Sequence, residues 1–141
     1  MSLNYGRPAN PEAFVVKVLA PLGLPVGPER SQETALPCYV VTAVAGKSDR
    51  FMLCATVSVH SFAAGDGATD MGRAQASDAA WNADNLLLSL TPADVFTMPD
   101  GRAASAWVDP IMPPVFADYR DPFIKRYVAR YDVRLRFTPT Q

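Results

Sequence analysis

The segment from Phe123 to Phe137, FIKRYVARYDVRLRF, has an aromatic and aliphatic set of odd positions with one lysine, and an even set that carries four arginines. Its odd positions are Phe123, Lys125, Tyr127, Ala129, Tyr131, Val133, Leu135 and Phe137, and its even positions include Arg126, Arg130, Arg134 and Arg136. Successive side chains of a strand point to opposite sides, so this pattern predicts a β-strand with one buried face and one basic face. At roughly 3.3 Å per residue the segment would extend about 50 Å. A domain of this length has a radius of gyration near 14 Å. The strand is therefore expected to bend at a bulge or to project beyond its own domain, where its arginines could grip a neighbour.

The rest of the chain can bury such a strand. A length of 141 residues suits a single domain, 1–141, and 49% hydrophobic residues supply a core. The net charge of −1 argues against an autonomous nucleic-acid binder, which usually carries a large positive excess. No secretory leader and no membrane-length apolar run is read, so no membrane partner is expected. Cys38 and Cys54 fall in strand-like segments and read as reduced, buried thiols. With a single histidine and no close cysteine pair, no metal site is expected.

Residues 1–9 read as a flexible arm. Asn10 is a good N-cap, with Pro11 at the first helical position and Glu12 in the first turn. The helix they start runs to about Ala20 and carries an apolar stripe of Phe14, Val15, Val18 and Leu19. Residues 22–36 read as an extended loop. Strands are expected over Pro37–Ala45 and Phe51–Phe62, joined as an antiparallel hairpin, with Leu53, Ala55, Val57 and Val59 on one face. A second helix is expected from Thr69 or Asp70 to Leu90, burying Ala76, Ala79, Ala80, Ala83, Leu86, Leu87 and Leu90. Residues 91–122 hold six prolines and read as a long proline-rich loop, with a short strand candidate at Ala103–Asp109. The fold class expected is α+β: an antiparallel sheet of about four strands, two helices packed on it, and a long C-terminal strand.

Catalytic chemistry is not found. Ala45-Gly46-Lys47-Ser48 ends like a phosphate-binding loop, but Val41 stands where the first glycine is needed and a strand follows. His60 and Ser61 are adjacent on a strand, so they point to opposite faces and cannot form a nucleophile–base pair. The carboxylates are scattered. No enzyme activity and no cofactor is expected. The arginine face has two readings: a solvated face guarded by charge, or a docking surface for carboxylate or phosphate.

Three stretches carry a family resemblance: LPCYVVTAV (36–44) after the first helix, FMLCATVSVHSF (51–62) leading into an alanine-rich helix, and AWVDPIMPP (106–114) followed by KRYVARYDVRLRF (125–137). In this order they resemble the tail terminator, or tail completion, proteins of long-tailed non-contractile bacteriophages, over about residues 10–138. The resemblance implies a virion structural protein in a homohexameric ring. That ring would cap the tail tube, stop its polymerisation and join the tail to the head–neck. It implies the tube protein and a neck or head-completion protein as partners, and a lumen through which DNA passes without sequence-specific binding. The protein would lie at the head-proximal end of the virion tail, and in the host cytoplasm during assembly. The family has no catalytic residues.

Arg126, Arg130, Arg134 and Arg136 are the candidate subunit interface, with acidic surface next door at Glu29, Glu33, Asp94 or Asp100. Ile111, Met112 and Phe116 are the candidate anchors of a docking loop for tube or neck. A head–tail connector or a tail tube subunit is the nearest alternative. From another class, a small α/β ligand-binding domain or enzyme would need a convergent polar pocket.

Overall fold

A computed structural model of the protein describes residues 10–31, 33–48, 52–65, 72–99 and 101–137. The arm expected at 1–9 lies outside these residues.

The first helix forms as its signals dictate. In α1 (Pro11–Leu19) the Asn10 side-chain oxygen accepts the amides of Glu12 at 2.8 Å and Ala13 at 3.3 Å. Those amides have no partner inside the helix, which is why an Asn cap stabilises the end. A short 3₁₀ turn, Ala20–Leu22, follows and is closed by Gly23 in the left-handed region. The buried residues of α1 are Phe14, Val15, Val18 and Leu19, the stripe expected from their spacing.

The sheet differs from expectation. It has six strands rather than about four, in the order β1-β2-β3-β6-β5-β4. These are β1 (Val26–Gly27), β2 (Cys38–Ser48), β3 (Met52–Ala64), β4 (Phe96–Thr97), β5 (Ala103–Phe116) and β6 (Ile124–Phe137). It is also mixed rather than antiparallel, because β1 runs parallel to β2, pairing Val26 with Tyr39 and Gly27 with Val40. The two additional short strands come from segments read as loops. Each is two residues long, too short for a period-2 signal.

The largest correction concerns 91–122. The segment expected as a proline-rich loop, with a short strand only at Ala103–Asp109, contains β4 and the 14-residue strand β5, which starts at Ala103 as expected but continues to Phe116. Pro110, Pro113 and Pro114 lie inside β5, against the usual reading of proline as a strand breaker. They are tolerated because β4 covers only Ala103 and Ala104, which leaves the rest of β5 as a sheet edge. The register of β5 also shifts between Pro110 and Met112 and again between Met112 and Val115. A proline lacks the N–H that a central strand must donate, but an edge or a bulge needs no such donor.

The long C-terminal strand neither bends at a bulge nor projects alone. β6 is central, paired with β3 from Ile124 to Arg136 and with β5 along its other side. Its neighbours are as long as it is, so the whole sheet is long. The bulges lie in β5, and in β2 between Ala43 and Ala45.

Both helices pack on the same side of this sheet. α2 (Arg73–Leu88) starts later than expected, after Gly72 in the left-handed region. Thr69 and Asp70, its expected start, lie outside the described residues. It buries Ala76, Ala79, Ala80, Ala83, Asp84 and Leu87. One core joins Phe14, Val18 and Leu19 of α1, Ala79, Ala83 and Leu87 of α2, and Val57, Val59, Tyr131, Val133 and Leu135 of the sheet. The alanines bring the helix close, and two tyrosines fix its position. Tyr39 Oη donates to the Ala79 carbonyl at 2.6 Å, and Tyr131 Oη donates to Asp84 Oδ1 at 2.8 Å. A buried carboxylate requires such a partner, since its desolvation is otherwise uncompensated. Burial pushes the Tyr39 hydroxyl up to about 12. The Tyr131 hydroxyl is raised further, by burial first and then by its bond to Asp84.

Candidate functional site

With both helices on one side, the opposite face of the sheet carries no helix among the described residues. The register identifies what lies there. Arg136, Arg134, Asp132, Arg130, Val128 and Arg126 of β6 stand opposite Met52, Cys54, Thr56, Ser58, His60 and Phe62 of β3. Toward β5, Arg136, Arg134, Asp132, Arg130 and Val128 meet Ser105, Trp107, Asp109, Met112 and Val115. The alternation read in the sequence therefore holds. Ala129, Tyr131, Val133 and Leu135 are buried under the helices, while Arg130 and Arg136 are exposed on the other side.

The four candidate arginines share this face, and a fifth joins them. Arg30, in the loop after β1, lies over the Phe62 ring at 5.4 Å. Sequence periodicity had no way to find it, because Arg30 reaches the face from a polar loop. Arg126 lies 5.3 Å from the centre of the Tyr119 ring and donates to the Asp118 carbonyl at 2.7 Å. Arg134 lies 5.4 Å from the Trp107 ring and pairs with Asp109 at 3.2 Å. That pair is largely exposed, so it contributes little to stability. Arg30, Arg126, Arg130 and Arg136 have no carboxylate partner among the described residues. The Nε atoms of Arg30 and Arg126 are buried without an acceptor.

One end of the face has a small core of its own. Cys38, Val40 and Phe62 are buried there, with Leu36, Tyr119 and Ile124 packed against them. Phe62 and Tyr119 meet edge to face at 5.1 Å, and His60 stacks on Phe62 at 6.2 Å. Cys38 is buried and Cys54 half-buried, and both thiols are free. Burial pushes the Cys38 thiol up, partly offset by the charge of Arg30 and its hydrogen bond.

His60 reports on this environment. Burial lowers its pKa, and the guanidinium charges of Arg126 and Arg130 lower it further. It is the single histidine of the chain, so its ring protons can be followed by NMR without assignment. Its midpoint should fall below the ordinary value of about 6.5, and Arg130→Gln should raise it. The unfolded chain takes up this proton near pH 6.5, whereas the folded chain does so only at lower pH. Stability from the neutral imidazole is therefore complete above that value and is lost as pH falls toward the folded pKa. A midpoint at or above 6.5 would contradict this placement.

The three proposed docking anchors do not form one surface. They lie on β5 rather than on a loop. Met112 pairs with Arg130 on the arginine face, whereas Phe116 pairs with Tyr127, whose side is the helix-bearing one. Phe116 packs on the Tyr127 ring at 5.8 Å, and Arg73 of α2 covers it at 4.0 Å. Ile111 sits in the bulge and is 54% exposed. Of the acidic residues proposed to face the arginines in a neighbour, Glu29, Glu33 and Asp94 are exposed, and Asp100 lies outside the described residues. Gly46, Lys47 and Ser48 belong to β2 and lead toward β3, not into a helix. Among the described residues no group of three His, Cys, Asp or Glu side chains could hold a metal ion. No described helix is long and apolar enough to cross a membrane. A concavity of about 360 Å³ is lined by Asn10, Ala13, Val16, Ala20, Pro28 and Pro99, with Glu12 and Lys17 among its few polar residues.

No family model matches the chain, and no curated protein matches it at a significant level.

Proposed function

We propose that this protein is a ring-forming structural subunit of a phage tail, the tail terminator. It would cap the tube, stop its growth and join it to the neck. The observation that carries this reading is the condition of the two sheet edges. Beyond the short β1 and β4 strands, β2 and β5 leave their outer edges open at opposite sides of the sheet. Open edges invite strand addition and unlimited growth. Here both are guarded. Three prolines and two register shifts interrupt β5. On the other side the Ala43–Ala45 bulge interrupts β2, and Glu12 Oε1 accepts the Ala43 amide at 2.8 Å.

The same two edges expose apolar side chains, Val44 on β2 and Trp107, Ile111 and Val115 on β5. Exposed apolar surface of this kind suits a contact. Two different surfaces on opposite sides of a subunit make a head-to-tail interface, which closes into a ring when the rotation allows. Such contacts, made by side chains and blocked from backbone pairing, suit a subunit that closes rather than one that propagates. The ring would then meet the tube protein on one side and the neck protein on the other.

Electron microscopy and native mass spectrometry of the purified protein test this. Closed rings of one fixed subunit number, six by the family resemblance, are expected. Long tubes would make it a tube subunit, and a monomer that neither closes nor caps purified tail tubes would overturn the reading.

A further inference from the structure

The arginine face is larger than its few contacts require. We propose that this face is a binding surface for the phosphate backbone of double-stranded DNA, read without regard to sequence. The inference goes beyond ring formation and stands on a single subunit.

Charge comes first. Arg30, Arg126, Arg130, Arg134 and Arg136 share the face with Asp109 and Asp132, while the chain as a whole carries −1. The positive charge is therefore concentrated here and balanced elsewhere, which a whole-chain sum conceals. Four of these five guanidiniums have no carboxylate partner among the described residues. Guanidinium offers a planar fork of donors that matches phosphate oxygens. Spacing agrees as well. Arg126 and Arg136 are ten residues apart on one strand, about 33 Å at the usual rise. One turn of duplex DNA spans a similar length, about 34 Å.

The aromatic residues decide which kind of nucleic acid fits. Single strands bind by stacking bases on open aromatic faces. Here those faces are occupied, Phe62 by Arg30, Tyr119 by Arg126 and Trp107 by Arg134. The rings hold guanidiniums in place rather than offering platforms to bases. Such preorganisation favours contact with phosphates. A second copy of this chain is the weaker occupant. Its described exposed carboxylates, among them Glu29, Glu33, Asp78 and Asp94, are dispersed over loops and a helix and present no row that matches the arginines.

The test uses the full chain and two unrelated 30-base-pair duplexes, with binding read by fluorescence anisotropy at 50 and 200 mM salt. Both duplexes should bind equally, and affinity should fall with salt. Arg130→Glu with Arg136→Glu should weaken binding roughly tenfold or more at 50 mM salt and flatten the salt dependence, since about two phosphate contacts are lost. Both side chains are exposed, so circular dichroism should be unchanged. Lys17→Glu with Lys125→Glu makes the same change in net charge away from this face and should weaken binding less than about threefold. Absence of duplex binding by the unaltered protein at 50 mM salt would overturn the proposal. So would equal weakening by the two double variants. If the arginine variant loses its oligomeric state yet binds duplex as before, the face joins subunits and the DNA assignment fails. Closed rings with no affinity for duplex would sink this inference alone and leave the ring intact.

Discussion

Leu87→Ala should destabilise the protein by about 2–5 kcal/mol, the cost of removing a fully buried leucine and leaving a cavity. Leu87 has no exposed surface and lies in the core that joins both helices to the sheet. The cluster around it is anchored in other elements, with Val133 and Leu135 in the central strand β6 and Phe14 in α1. Collapse around the missing side chain is therefore limited, which places the cost toward the upper part of the range. For a domain of this size a loss of that order lowers the melting temperature by on the order of 10 °C. Leu88 is the internal control. It follows directly in the same helix but is 39% exposed. Leu88→Ala should cost under about 1 kcal/mol, as surface changes usually do. Denaturant titrations of both variants decide the matter. Equal losses, or a loss below about 1 kcal/mol for Leu87→Ala, would place the buried face of α2 elsewhere.

Gly72→Ala should be nearly as damaging, for a different reason. Gly72 has φ of 87°, in the left-handed region where an L side chain costs about 1–2 kcal/mol. A Cβ at this position would also run into the carbonyl carbon and oxygen of Ala64, which are backbone atoms at the end of β3. Flexible side chains can move aside, but this carbonyl belongs to a strand paired along its whole length with β6. The chain must shift at the start of α2, where the Gly72 carbonyl accepts the Ala76 amide at 2.9 Å. Conformational strain and crowding together should cost about 2–4 kcal/mol. Gly101 provides the contrast. Its φ is also positive, at 85°, but nothing lies within 4 Å of the site of its missing Cβ. Gly101→Ala should therefore cost only the conformational part. If thermal unfolding shows the two variants equally destabilised, the close approach of α2 to the end of β3 is wrong.

These contrasts match what could be read before the structure. Features set by neighbours in sequence were legible. The Asn10 cap, the buried stripe of α1, the alternation of β6 and the inward face of β3 all follow from side-chain geometry on a regular backbone. The arginine row was legible for the same reason, since a period of two puts Arg126, Arg130, Arg134 and Arg136 on one side wherever the strand lies. Asp84 was not. A carboxylate on a helix reads as solvated, and only the approach of Tyr131 from a distant strand makes its burial tolerable.

The sheet's extent was the other failure. Three prolines cut the strand read from Ala103 short at Asp109 and left 110–116 as loop, although a proline is excluded only where its missing N–H would face another strand. Whether it does so depends on which strand lies beside it. The docking anchors were read on that loop; an unbroken strand would have kept Met112 and Phe116 on one side, and it is the register shift between Met112 and Val115 that puts them on opposite sides. By itself, then, the sequence of this protein determined the local conformations and the chemical character of each strand face. Tertiary structure decided which strands became edges, which face the helices left uncovered, and that Arg30 should join the arginines of β6. Those outcomes depend on contacts between residues far apart in the chain, and no local period carries that information.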